Sequence, residues 1–266
     1  MAEQAERAAA FRDLHGGEPF VIPNPWDGGS ARVLEGLGFA ALATTSSGLA
    51  FTLGRLDGAA TRDDVMGHVR ALVAAVSVPV SVDLENGYGP TPEEAAAAIS
   101  AAAQAGAVGG SIEDWDPHAE EIYDVGHATE RIAAACEAAR GLGFPFTLTA
   151  RAENHVHEID DLDGTIARLQ AFERAGADVL YAPGLRDAEQ IRAVCETVSR
   201  PVNVLAHAGL SMSEIVEAGA QRVSVGGALT WVAVEALAAA ASAIRDDGDF
   251  SSLAAIPPQL ADWLSA

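Results

Sequence analysis

Cysteine is almost missing from this chain: Cys136 and Cys195 are the only two among 266 residues. Each lies in an alanine-rich, helix-like stretch with no second cysteine nearby. That excludes a disulfide framework and a cysteine-ligated metal site, and leaves both as small core residues. Positive charge is scarce as well. Sixteen basic residues face thirty-eight acidic ones, a formal net charge of -22. Phosphate binding needs a basic surface, so nucleic acid is excluded as a partner, and the acidity itself serves solubility. Long hydrophobic runs are lacking too, because Gly, Pro or a charge interrupts each apolar stretch before it reaches the length of a membrane span. The start, Met-Ala-Glu-Gln-Ala-Glu-Arg, has no basic-then-apolar signal layout, so a cytoplasmic protein is expected. No histidine pair stands at ligand spacing, which speaks against zinc.

What is present is apolar and periodic. Hydrophobic residues make up 49% of the chain, enough for a large core in one or two domains. Proline introduces four short apolar runs, after Pro19, Pro79, Pro145 and Pro201, and glycine introduces four more, after Gly38, Gly106, Gly176 and Gly219. The two kinds alternate along all eight runs. The glycine sites read alike: Leu-Glu-Gly-Leu-Gly38, Ala-Gln-Ala-Gly106, Glu-Arg-Ala-Gly176 and Val-Glu-Ala-Gly219. A left-handed glycine ends a helix in this way before the next strand. Helix starts are legible at Thr91-Pro92-Glu93-Glu94, at Thr61 with Asp64, and at Ser211 with Glu214. Eight strands alternating with helices predict a parallel sheet buried on both faces. Eight is also the number that closes a (β/α)8 TIM-type barrel. The rival, an open doubly wound sheet, needs a glycine-rich phosphate loop after its first strand, and Asn24-Pro25-Trp26-Asp27 is no such loop. The barrel is expected over residues 1–245, with a C-terminal helical arm over residues 246–266.

Sites of such barrels form at the C-terminal ends of the strands. Those ends gather Asn24 to Asp27, Thr44 to Gly48, Asp83 and Glu85, Glu113 and Asp114, Arg151 and Glu153, Pro183, His207, and Gly226-Gly227, although the strands themselves read as nearly all apolar. In Asp83-Leu84-Glu85-Asn86-Gly87-Tyr88-Gly89, strand alternation would turn both carboxylates to one side. Crowded carboxylates repel unless a cation or a proton lies between them. With Glu113 they form an all-oxygen set suited to Mg2+. Asp57, on the loop after the second strand, reads equally as a member of the outer metal shell or as a turn residue. Arg151 is expected to hold a substrate anion through its planar fork, or to pair with the acidic rim. Ser46-Ser47-Gly48 offers hydroxyls and amides to an anion or forms an ordinary turn. Gly226-Gly227 reads as a phosphate site or as a place of close packing. His118, His127, His155 and His207 are candidate acids or bases, with His207 best placed near the substrate.

Taken together, Asn24-Pro25-Trp26-Asp27, Thr45-Ser46-Ser47-Gly48-Leu49, Asp83-x-Glu85-x-Gly87-Tyr88-Gly89, Ile112-Glu113-Asp114 and Ala150-Arg151 resemble the isocitrate lyase and phosphoenolpyruvate mutase superfamily. The resemblance spans roughly residues 10–240 and includes 2-methylisocitrate lyases, oxaloacetate decarboxylases and phosphonopyruvate hydrolases. It implies an enzyme that takes a small anionic α-oxo acid through a pyruvate-type enolate, with Mg2+ or Mn2+. Asp83 is then the main metal carboxylate, and Asp57, Glu85 and Glu113 act through bound water. Ser47, Gly48 and Leu49 grip the oxo acid, and Arg151 binds its anionic groups. Homo-oligomers, dimers or tetramers, are implied by C-terminal helices exchanged between subunits. The lid from Asp114 to His127 departs from the family. It lacks the Lys-Lys/Arg-Cys-Gly-His segment of the lyases and the Lys-Thr-Asn-Ser segment of the mutases, and it supplies His118 and His127 instead. Glu85 also stands where many members have aspartate. The expectation is a carbon–carbon lyase acting by decarboxylation or retro-aldol cleavage. The alternatives are a phosphonate enzyme, disfavoured by the lid's acidity, and a barrel that binds an oxo acid without turning it over.

Overall fold

A computed structural model describes residues 2–265. All eight expected runs form strands: β1 (Phe20–Ile22), β2 (Leu42–Ala43), β3 (Val80–Asp83), β4 (Gly109–Glu113), then, after a short hairpin of β5 (Trp115–Asp116) and β6 (Glu121–Ile122), β7 (Thr147–Arg151), β8 (Val179–Tyr181), β9 (Val202–Leu205) and β10 (Arg222–Ser224). The eight long-range strands run in the order β1-β10-β9-β8-β7-β4-β3-β2, with parallel pairing throughout. The seam between β1 and β2 is closed outside the regular ladder. Ala43 N–H donates to the Pro23 carbonyl at 3.1 Å, and Asn24 Nδ2 donates to the Thr44 carbonyl at 2.9 Å. Asn24 Oδ1 also accepts from the Val225 and Gly226 amides at 3.0 Å each, so one side chain ties three strand ends together. The result is a (β/α)8 barrel.

The punctuation legible in the chain is what turns each helix back into the sheet. Gly38, Gly106, Gly176 and Gly219 have φ of 92°, 104°, 107° and 105°, a left-handed region that other residues enter only at a cost. Thr61, Thr91 and Ser211 each close a capping box with the acid three residues on. The helices Pro92–Gln104 and Val125–Arg140 meet through small residues, Ala95, Ala98 and Ala102 on one, Ala128, Ala135 and Ala139 on the other. Alanine faces let helix axes approach closely, and the alanine-rich composition of these segments has its use here.

One expectation is corrected inside the barrel. The strands are apolar on the helix-facing side, where Val82, Ile112, Leu148, Ala150, Leu180, Val204 and Val223 enter the core. On the axis-facing side most of the alternate residues are polar: Ser81 and Asp83, Ser111 and Glu113, Thr149 and Arg151, Asn203, Arg222 and Ser224, with Ile22, Ala43 and Leu205 the apolar ones. Alternation with period two separates the two sets, and the polar set lines a shaft beneath the mouth.

The C-terminal arm begins with the helix Ala228–Asp247, which crosses the expected boundary between residues 245 and 246 and ends at left-handed Gly248. Only Thr230 of this helix is buried; Trp231, Val232 and Leu237 are exposed, Leu237 at 66%. The helix corrects a second expectation, since with a hydropathy of 1.4 it is long and apolar enough, by length and composition, to cross a membrane. The last helix, Pro258–Ser265, folds back on Gly28–Gly36, where Arg32 Nη1 donates to the Trp263 carbonyl at 3.3 Å.

Candidate active site

The strand ends enclose a cavity of about 210 Å³ lined by Asn24, Thr44 to Ser47, Asp57, Asp83, Arg151 and Tyr181 at the mouth and by Thr149, Asn203 and Arg222 below. A larger hollow of about 690 Å³ lies around Phe144, Pro145 and Arg200 at the opposite end of the strands. Its one carboxylate, Asp178, is occupied by the Leu148 amide at 2.9 Å, so the acids that carry chemistry are all at the mouth.

Asp83 ends β3 and is held from several sides. Its amide donates to Thr44 Oγ1 at 2.9 Å, and its Oδ1 accepts from Arg151 Nη1 at 2.9 Å and from the Glu85 amide at 3.3 Å. Because the strand stops at Asp83, alternation does not place Glu85, contrary to the expectation. A tight turn does so, with Glu85 at φ 49° and Tyr88 at φ 63°, while the Glu85 carbonyl accepts the Glu113 amide at 2.9 Å. Left-handed backbone at a non-glycine residue is costly, and here it is fixed from outside by Arg131. That buried guanidinium donates to the carbonyls of Asn86, Gly89 and Glu113 and lies over the Tyr123 ring. Nothing in the local pattern of Arg131 sets it apart from a solvated helix residue, and it was not anticipated.

Arg151 is the hub. Its fork meets Asp83 Oδ1 at 2.9 Å, Glu113 Oε2 at 3.2 Å and Glu153 Oε1 at 2.8 Å. Burial alone would lower its pKa, but the charges of Glu153, Glu113 and Asp83 outweigh that and hold it well above its usual value. Of the two readings of Arg151, pairing with the acidic rim is what this structure contains. The acids feel the crowding in turn. Burial, then Asp83 and Asp57, push Glu85 up to about 8. Burial also raises Glu113, against the pull of Arg151 and with the push of Glu153, Asp83 and Glu85. Asp57 lines the mouth and is raised by partial burial. Asp114, one residue past Glu113, faces the other way: it accepts from the Glu153 amide at 2.8 Å and from Arg168 at 3.1 Å, a buttress outside the cavity.

The turn after β2 starts the helix Ser46–Thr52, with Thr45 as its cap. Gly48 has no room for a side chain, since a Cβ there would stand 2.6 Å from Thr45 Cγ2 and 2.9 Å from Trp26 Cβ. Ser47 packs its hydroxyl against Gly227, so of the two readings of the glycine pair, close approach is the one in place. Leu49 turns its side chain into the core and donates its amide to the Thr45 carbonyl at 3.0 Å. The histidines lie apart from the cavity lining. His118 is on the exposed β5–β6 hairpin, where its amide meets Asp116 Oδ1 at 2.9 Å. His127 Nε2 is 2.7 Å from the Pro90 carbonyl. His207 Nε2 is 3.1 Å from the Arg186 carbonyl, and buried His155 packs behind Gly184. The hairpin itself is docked by Trp115, stacked on His157 at 3.5 Å and 9°. The sixteen basic residues are all arginine, so lysine Schiff-base chemistry is not open to this site.

Among the described residues no group of three His, Cys, Asp or Glu forms a ready metal cage. The donor chemistry still fits a hard cation. Asp83, Glu85, Glu113 and Asp57 offer oxygen alone, burial and neighbouring carboxylates raise Glu85, Glu113 and Asp57, and Glu85 Oε1 is buried without a hydrogen-bond partner. Mg2+ keeps several waters and needs few direct protein ligands, which such a loose set provides.

A closed parallel barrel with a buried arginine–carboxylate cluster at its C-terminal mouth is the framework of a barrel enzyme acting on small anionic substrates. Residues 11–245 match the family described as phosphoenolpyruvate phosphomutase, and the chain belongs to it and to the wider isocitrate lyase/phosphoenolpyruvate mutase superfamily of enzymes. A candidate lyase/mutase from Burkholderia cenocepacia J2315 superposes with a TM-score of 0.96 at 52% identity, covering 100% of this chain and 98% of that one. Oxaloacetate acetylhydrolase in complex with oxalate superposes at 0.88 with 26% identity, covering 98% and 94%. An uncharacterised protein of Mycobacterium tuberculosis is 32% identical over 239 residues, 89% of each chain.

Proposed function

We propose that the protein is a Mg2+-dependent carbon–carbon lyase acting on a small α-oxo acid. The observation that supports it most is the pairing of Asp83 and Glu113 with Arg151, with Glu85 near enough to feel the charge of Asp83, beside the cavity that Ser46 and Ser47 enter from β2. Asp83, with Glu85, Glu113 and Asp57 through water, would hold the cation, Mg2+ or Mn2+. The cation supplies Lewis-acid polarisation of the oxo-acid oxygens. Ser47 and the helix start at Gly48 and Leu49 grip the oxo-acid end, and Arg151 shares its fork between the acids and the substrate carboxylate. Cleavage of the Cβ–Cγ bond, one carbon beyond the oxo carbon, leaves its electron pair on Cβ as an enolate, whose charge Arg151 and the start of the helix after β2 offset. The hairpin of β5 and β6 then shields the mouth from water. His118 or His127 is the lid's proton donor, brought in as the lid closes, and His207, just past β9, contacts the substrate at the rim of the mouth.

Oxaloacetate acetylhydrolase, a relative, was captured with oxalate, which supports an α-oxo acid end held at the mouth here. A second copy of the chain would cover the exposed apolar arm from Trp231 onward. Incubation with oxaloacetate and Mg2+ should release pyruvate, whereas phosphonopyruvate should release no phosphate. Asp83→Ala should abolish Mg2+-dependent turnover with an unchanged circular dichroism spectrum. Equal turnover in EDTA and in Mg2+ would refute the proposal.

A further inference from the structure

Below the carboxylate cluster the cavity continues along the barrel axis, and its floor carries a charge with no counter-charge. Barrel interiors are ordinarily filled by bulky branched side chains. Here Ser81, Ser111, Thr149, Asn203 and Ser224 line the shaft, with Ile22, Ala43 and Leu205 between them. Arg222, the first residue of β10, is 5% exposed. Its Nε donates to Asn203 Oδ1 at 2.8 Å, its Nη2 donates to Thr149 Oγ1 at 2.9 Å, and its Nη1 lies 3.2 Å from His15 Nε2. His15 Nδ1 stands 2.8 Å from the Phe11 carbonyl, which assigns the ring proton to Nδ1 and leaves Nε2 to accept. Burial and the facing guanidinium push His15 down to about 3, so it is neutral. All three partners are neutral, and among the described residues Arg222 forms no ion pair.

A guanidinium has five N–H donors, so these contacts leave one each on Nη1 and Nη2. Arg151, higher in the same cavity, is already matched by three carboxylates. Arg222 is therefore the arginine of this cavity that no carboxylate of the described residues matches. A buried charge left unpaired is costly, and the hydrogen bonds to Asn203 and Thr149 need no full charge. An anion does.

We propose that Arg222 floors a carboxylate subsite, which takes the second carboxylate of a dicarboxylic oxo acid while its α-oxo end lies at the mouth. The inference rests on the reading of the mouth given above, and it narrows the substrate class. Thr149 and Arg151 are two residues apart on one face of β7, about 7 Å along the strand, a span suited to a five-carbon dicarboxylate and too long for oxalate.

The test compares oxalate, 2-oxoglutarate and its monocarboxylate counterpart 2-oxopentanoate by titration calorimetry in the presence of Mg2+. Wild type should bind 2-oxoglutarate about ten- to hundredfold more tightly than 2-oxopentanoate, the range of a hydrogen bond to a charged group. Arg222→Gln should bring that ratio to about one. Asn203→Asp keeps an acceptor for Nε while neutralising the charge, so it should do the same in a folded protein whatever becomes of Arg222→Gln. Absence of 2-oxoglutarate binding by wild type, a wild-type ratio of one, or a ratio that survives Asn203→Asp overturns the subsite. Failure of wild type to bind oxalate would instead refute the mouth, and the ratio would still decide the shaft.

Discussion

Replacing Arg151 by methionine removes the cation that three carboxylates share and keeps most of the side-chain volume. The guanidinium stands 2.9, 3.2 and 2.8 Å from Asp83, Glu113 and Glu153, and none of the four side chains is more than 16% exposed. Breaking a buried pair by deleting one partner costs about 3–5 kcal/mol, because the remaining charge stays buried. For a chain of this size that is a fall in Tm of roughly 6–20 °C. The variant should be melted by circular dichroism at pH 7.5 in EDTA beside wild type. Two further readings separate charge from packing. Millimolar Mg2+ should raise the variant's Tm more than that of wild type, because a second cation replaces the one removed. The deficit should also shrink as the pH is lowered towards 5. Without Arg151 the carboxyls bind protons more tightly folded than unfolded, and such acids favour the fold below their unfolded values and disfavour it as pH rises. An Arg151→Met variant that melts within about 2 °C of wild type in EDTA, less than about 1 kcal/mol, would refute this account of the cluster.

Glu85, pushed up to about 8 from an ordinary 4.5, holds its proton more tightly in the fold. The metal-free protein should therefore lose on the order of a few kcal/mol between pH about 5 and pH about 8, and urea titrations should show a flatter profile in Glu85→Gln. Arg131→Ala leaves the carbonyls of Asn86, Gly89 and Glu113 unmatched and should cost roughly 3 kcal/mol together with weakened Mg2+ binding, read by denaturation and by metal titration. His118→Gln should lower turnover about a hundredfold if the hairpin supplies the proton, with Mg2+ affinity unchanged; full activity moves the donor to His127. Light scattering should report an oligomer for the full chain and a smaller species after removal of residues 248–266.

The periodic signals were local, and so they were legible. Gly176 ends a helix because its own φ of 107° suits no other residue well, and Thr91 caps because Glu94 stands three residues on. The eight strands followed from such marks, and with them the rim that carries Asp83, Glu113 and Arg151. Arg222 and Arg131 were missed for the opposite reason. Each is one arginine among sixteen, and its meaning comes from residues far away in sequence: Thr149 and His15 for Arg222, Asn86 and Glu113 for Arg131. A signal for the shaft was present in the alternate polar letters of Val80-Ser-Val-Asp83, Thr147-Leu-Thr-Ala-Arg151 and Arg222-Val-Ser224, hidden by the apolar neighbours that face the helices.

By itself the sequence determined the order of strands and helices, the closure at eight, and which end of the barrel holds the acids. Each of these depends on spacing of a few residues and on backbone preferences that act locally. The tertiary structure decided which acid faces in and which buttresses, since Glu113 and Asp114 are neighbours in the chain and lie on opposite sides of the wall. It also decided that Arg151 is paired with three carboxylates while Arg222 meets only neutral partners. Pairing of charges is a property of distances across the barrel, and those distances exist only once the sheet has closed.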